Sequence, residues 1–213
     1  MDMDHHASAV VCGNAFHTPR LGHIESLVGY LFCIDDEGTI TDLIAPGHAH
    51  YEAVRQRAHE AGRLTVLSDG QYLLPGLIDL HVHASQWPQA GKALDRPVIE
   101  WLDDHALPLE ARFSDADFAL GVWRKAVRML LANGTTTAAY FATIHKEASA
   151  LLAEVCQAYG QRALVGKVVM DNTLCPTYYR DASVADAVAD TTWLVDRVRA
   201  LNSALVHPVI TPR

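Results

Sequence analysis

A mixed α/β fold, with a small β-rich segment followed by about four strand–helix units of a TIM-type (β/α)8 barrel, is predicted by three features of this sequence. Residues 1–70 alternate short β-prone runs with turn residues. From residue 71 to residue 213 apolar strands alternate with amphipathic helices. The third feature is length: a closed barrel takes about 250 residues and seldom fewer than about 200. A chain of 213 residues that spends its first third elsewhere does not complete one.

The β-prone runs of the first segment are Val10–Cys12, Ser26–Ile34 and Ile40–Ile44. Gly13-Asn14, Pro19, Asp36-Glu37-Gly38 and Pro46-Gly47 separate them as turns. Tyr51–Ala61 predicts a short helix, Leu64–Leu67 a further strand, and His5-His6 a solvated tail. The second part opens on the apolar run Leu73–Val82, whose strand is Leu77–His83. Gln86–Phe113 contains Trp87-Pro88, Gly91, Pro97 and Pro108 and reads as a long functional loop with short helical pieces.

Three helices and their strands follow. Ser114 with Asp117 predicts a capping box ahead of an apolar stripe of Phe118, Val122, Ala126, Val127, Leu130 and Leu131, which Asn133-Gly134 closes. Thr135–Ala142 is β-branched and aromatic, so its threonines are read as strand formers rather than nucleophiles. A helix from His145 to Tyr159 buries Ala148, Leu151, Leu152 and Val155 and ends at Gly160. Arg162–Met170 is nearly continuously apolar, as suits a parallel strand covered on both faces. Ser183 and Asp186 repeat the capping box before a helix with Ala187, Leu194 and Val198 on one face, and Leu205–Thr211 is the last strand. With Leu77–His83 as the first, these are four parallel strands joined by three right-handed crossovers.

Composition narrows the function. Half of the residues are apolar, which excludes intrinsic disorder, and the net charge of −8 argues against a surface built to neutralise nucleic-acid phosphates. There is no apolar run long enough for a membrane span, and the acidic start differs from a secretory leader. The four cysteines (Cys12, Cys33, Cys156, Cys175) form no CxxC pair, so a reduced, cytoplasmic protein is expected. No glycine-rich phosphate loop is present.

The chemistry concentrates in Leu74-Pro75-Gly76-Leu77-Ile78-Asp79-Leu80-His81-Val82-His83. Residues two apart on a strand share a face, so His81 and His83 project together at its C-terminal end, where parallel α/β folds place ligands. Two neutral imidazoles so spaced can share a divalent metal, and they can equally serve as ordinary hydrogen-bonding groups at a strand–loop junction. Asp79 lies on the same face, with either a place near the site or a buried hydrogen-bonding role.

That run resembles the strand-1 signature of the metal-dependent amidohydrolases. Further blocks resemble the guanine deaminase family within that group: His83-Ala84-Ser85-Gln86, Glu100-Trp101-Leu102, Gly134–His145, Gly160–Asp171 and Pro208–Arg213. The resemblance implies the N-terminal part of such an enzyme, its first 70 residues contributing to a composite β-sandwich and residues 71–213 forming the first half of the barrel. It implies that His81 and His83 are two ligands of one zinc ion. It implies that His83, Ala84, Ser85, Gln86 and Arg213 line the guanine site, with the Gln86 amide and the Arg213 guanidinium gripping the purine. The family reaction is hydrolytic deamination of guanine to xanthine and ammonia, and the family is typically homodimeric. Two donor types suit such a base: an amide matches its amide edge, and an arginine its ring and carbonyl acceptors.

The remaining family ligands, the proton-transferring glutamate of a His-x-x-Glu segment and a catalytic aspartate have no counterpart here, since His207 is followed by Pro208, Val209 and Ile210. His145 is read as a structural or lining residue and Glu100 as a loop or interface contact. The 213 residues alone are therefore expected to be inactive and to self-associate through unpaired edges at Leu77–His83 and Leu205–Thr211. The alternatives are an amidohydrolase acting on another purine, a pterin or a triazine, and a non-catalytic chain that associates with a full-length subunit.

Overall fold

A computed structural model of the chain describes residues 7–213, so the predicted His5-His6 tail lies outside the described residues. The chain divides into two compact units, one up to Pro75 and one from Gly76 to Arg213.

The first unit is a five-stranded sheet. Strands β1 (Ala9–Arg20) and β2 (His23–Ile34) form a long antiparallel hairpin, flanked by β3 (Ile40–Ile44) on β2 and by β4 (Leu64–Val66) and β5 (Tyr72–Leu73) in parallel with β1. Two expected breaks are absent. Gly13-Asn14 is a bulge inside β1, where the Gly29 N–H donates to Asn14 Oδ1 at 3.0 Å, and Pro19 falls at a register shift near the strand end. The turn sits at Leu21-Gly22, with Gly22 at φ +74°, so β2 starts three residues before the predicted Ser26. Helix α1 (Tyr51–Glu60) covers one face by burying Ala58 beside Val10, Cys12, Leu31 and Cys33.

The second unit is built on four parallel strands in the order β10-β8-β7-β6, so chain order and spatial order coincide. These are β6 (Leu77–His83), β7 (Thr135–Phe141), β8 (Arg162–Gly166) and β10 (Val206–Pro208), joined by α4 (Ala116–Ala132), α5 (Lys146–Ala158) and α6 (Val184–Ala200). Beyond them β9 (Val168–Val169) pairs with β11 (Thr211–Pro212). The core lies between helices and sheet, around Trp123, Tyr140, Leu152, Val165 and Leu194. Its polar atoms are matched: the Trp123 indole N–H donates to the Ala148 carbonyl at 2.9 Å, and the Gln161 amide accepts from Tyr140 and donates to the Thr135 carbonyl.

Several boundaries differ from the expectation for identifiable reasons. The cap of α4 is Asp115, whose carboxylate accepts from the Asp117 and Phe118 N–H groups, and Ser114 belongs to the preceding turn. At α6 the predicted cap is present, with the Asp186 N–H donating to Ser183 Oγ at 3.1 Å. The run Arg162–Met170 is not one strand: it breaks at Lys167, which is fully buried and turned to a charged partner. Leu205–Thr211 breaks likewise, at Val209-Ile210. Its carbonyl at Val209 and the Thr211 side chain approach Gly166 so closely that a Cβ there would lie 2.6 Å and 2.4 Å from their oxygens. The segment Gln86–Phe113 is more helical than a loop, passing through a tight turn at Ala84–Gln89 and then α2 (Val98–Trp101), a widened turn (Leu102–Ala106) and α3 (Leu107–Ala111). Glu100 is exposed there and pairs with Arg96 at 3.7 Å.

Strand β6 lies at one sheet edge with Leu77, Ile78 and Leu80 each more than 60% exposed. An apolar, unpaired edge of this kind templates association. The 213-residue chain by itself should therefore elute as oligomers in size-exclusion chromatography with light scattering. A monomer with a single cooperative melt would contradict this.

Candidate active site

The candidate site forms at the C-terminal ends of the parallel strands, and its first members are the last alternating residues of β6. The His81 and His83 rings converge, with their Nε2 atoms 3.1 Å apart. Phe141, at the end of neighbouring β7, packs against both rings, with centroid separations of 4.4 Å and 5.2 Å. Two imidazoles binding one tetrahedral zinc at about 2.0–2.1 Å place their nitrogens about 3.3 Å apart, so the pair fits a shared metal. Burial and the nearby Arg213 guanidinium hold the His83 imidazole below its ordinary pKa, which favours the neutral, ligating form. Among the described residues no group of three or more His, Cys, Asp or Glu is placed to hold a metal ion. Asp79 is not buried: it is exposed and its Oδ1 accepts from the His81 N–H at 3.1 Å, because β6 is open to solvent along this edge.

The chain after β6 turns inward. Ala84 and Ser85 are buried, the Ser85 hydroxyl with no hydrogen-bond partner among the described residues, while Gln86 is half-buried. A cavity of about 300 Å³ lies beside them, lined by His83, Gln86, Trp87, Trp101, Ala126 and Leu130. The Gln86 Nε2 donates to Glu110 Oε1 at 2.8 Å, and Arg213 Nη1 donates to Glu110 Oε2 at 2.7 Å. Glu110 is fully buried, and the Arg213 side chain is 18% exposed. Gln86 and Arg213, remote in sequence, thus meet on one carboxylate.

Sequence reasoning missed Glu110, Phe141 and Tyr179. Tyr179 is fully buried, with its hydroxyl 3.1 Å from Thr143 Oγ1 and accepting from the Ile144 N–H. Burial pushes its phenol well above the ordinary range. A lone acid inside the apolar run Leu107-Pro108-Leu109-Glu110-Ala111 was the available signal for Glu110, since a buried carboxylate demands donors.

His145 occupies the N-cap position of α5, with its ring edge-on to Tyr179 and its Nε2 buried without a hydrogen-bond partner among the described residues. Burial lowers its pKa, so the unfolded chain binds a proton more readily than the folded one. Its contribution to stability is complete above the ordinary histidine value of about 6.5 and is lost as pH falls through the lower folded value. A His145→Gln variant should lose less stability than the wild type between pH 7 and pH 5, by urea unfolding; equal losses would contradict this assignment. His207 is exposed on β10 and joins no cluster.

Residues 72–212 match the amidohydrolase family. The chain is 37% identical to the guanine deaminase of Dictyostelium discoideum over 212 residues, covering 94% of this chain and 46% of that protein. It is 37% identical to human guanine deaminase over 202 residues, covering 94% and 44%. Among solved structures, the guanine deaminase of C. acetobutylicum with guanine bound in its active site superposes with a TM-score of 0.82 at 28% identity, over 96% of this chain and 46% of that one. The E. coli guanine deaminase gives a TM-score of 0.80 at 25% identity, over 96% and 46%. The chain thus spans about half the length of the relatives it matches.

Proposed function

The chain belongs to the amidohydrolase family, and from that premise we propose that it forms the first half of a zinc-dependent guanine deaminase, which hydrolyses guanine to xanthine and ammonia. One observation carries the reading. The two residues assigned to the purine, Gln86 and Arg213, meet on Glu110, beside the His81–His83 pair. Substrate contacts and metal ligands thereby share one end of the sheet, as hydrolysis of a bound base requires.

His81 and His83 would hold the zinc, which when bound would supply the Lewis acidity that makes water a nucleophile near neutral pH. The residues of this chain bind and orient the base. The Gln86 amide reads its amide edge, Arg213 donates to its acceptors, and His83, Ala84 and Ser85 form the adjoining wall. Strand order without reversal supports the assignment of residues 71–213 to the first half of an eight-stranded barrel, because crossovers that all advance in one direction keep their helices on one face. Residues 1–70 are assigned to a composite β-sandwich. We place the protein in the cytoplasm as a homodimer; four free thiols support the reducing compartment, and no helix among the described residues is long and apolar enough to cross a membrane.

The test is a substrate panel on the full-length protein containing this segment, with guanine, adenine, a pterin and an aminotriazine, followed by ammonia release. Guanine should be preferred by orders of magnitude. Preference for another heterocycle would overturn the substrate assignment.

A further inference from the structure

We propose that Glu110 is a positioning residue that fixes the donor and acceptor pattern which Gln86 and Arg213 present to the bound base. The proposal rests on the assignment of those two residues to the purine.

A glutamine amide has two nearly isosteric faces, and nothing in its shape prevents it from turning over. Glu110 removes that freedom. A carboxylate accepts and cannot donate, so the amide group facing Oε1 at 2.8 Å is Nε2, and the Gln86 carbonyl is turned away from Glu110. The second oxygen accepts from Arg213 at 2.7 Å, in a charge-assisted bond shielded from water by the complete burial of Glu110. Glu110 therefore draws donors from the turn after β6 and from the end of β11. A residue that merely stabilised the fold would not need both of its oxygens on the two ligand-facing side chains.

Glu110→Gln keeps the size and reverses the logic. Arg213 can only donate, so it takes the single oxygen of the new amide, and the amide nitrogen then faces Gln86. Gln86 must turn over to accept, presenting nitrogen where its carbonyl stood. The expected result in the full-length protein is a KM for guanine raised about 10- to 100-fold, the scale of one hydrogen bond to a charged group. The kcat should stay within about threefold and the zinc content should not change.

The decisive comparison repeats Glu110→Gln in a Gln86→Ala background, where its effect on KM should shrink to about threefold or less. An unchanged KM, or an equal penalty in both backgrounds, overturns the positioning role. If the variant does not fold, the wild-type protein carries the test. NMR of the Gln86 side-chain amide should show one Nε2 proton shifted downfield by the carboxylate, and an unshifted pair overturns the proposal. A wild-type protein inert toward guanine defeats only the functional reading, because the amide signal still decides the role of Glu110.

Discussion

Asp181→Ala should destabilise the second unit by about 3–5 kcal/mol, because it strands a buried cation. Lys167 is fully buried, and its ammonium donates to Asp181 Oδ1 at 2.5 Å and to the Val168 carbonyl at 3.2 Å. The other carboxylate oxygen accepts from the Met170 N–H at 2.7 Å, and the Asp181 N–H returns a bond to the Met170 carbonyl. Removing the carboxylate therefore leaves an unpaired charge at Lys167, between β8 and β9, and an orphaned backbone donor at Met170, just after β9. At roughly 2–4 °C per kcal/mol for a unit of this size, the Tm should fall by about 10 °C. Replacing both partners at once, Lys167→Met with Asp181→Leu, should recover the share of the loss that comes from the stranded charge, while the Met170 N–H stays without its acceptor. Lys146 and Asp190 make the contrast: each is 30% exposed, and Lys146→Ala should cost far less than Asp181→Ala. A loss below 1 kcal/mol in Asp181→Ala, by thermal and urea unfolding, would contradict this account of the buried pair.

His81→Ala and His83→Ala should each leave the full-length protein with substoichiometric zinc and reduce guanine turnover by at least about 100-fold. Loss of an outer partner of a metal ligand already costs about 10- to 100-fold in affinity or activity, and loss of the ligand itself removes a bond to the ion. The geometry adds a control. Asp79 is exposed and accepts from the His81 backbone N–H, not from a ring, so Asp79→Ala should retain zinc and most of the turnover. Metal content by elemental analysis, read beside activity, separates the two outcomes. A histidine variant that keeps both would remove the pair from the metal site.

The elements most legible in the sequence were those whose pattern reports burial directly. The stripe Val122, Ala126 and Val127 and the run Thr135–Ala142 gave α4 and β7, because amphipathic and β-branched periodicities are imposed by a core on one side. Lys167 shows where pattern fails. Seven apolar neighbours conceal one charged residue whose partner, Asp181, lies across a loop, and a long-range ion pair leaves no local trace. The cap of α4 moved by one residue because Ser114 and Asp115 both cap helices well, and the surrounding turn decides between them. At the site, the alternation of β6 was enough to bring His81 and His83 together. Glu110 was not legible, since its significance depends on Gln86 and Arg213 meeting it from distant parts of the chain.

Substrate and metal site are tested together by conversion of guanine to xanthine, with zinc content, in the full-length protein and in the 213-residue chain side by side. Turnover with one zinc per site is expected in the first, and silence with substoichiometric zinc in the second, because two histidines are half of a tetrahedral site. A full-length protein that binds zinc and leaves guanine untouched would contradict the assignment of the substrate. Turnover by the 213 residues alone would contradict the assignment of the site.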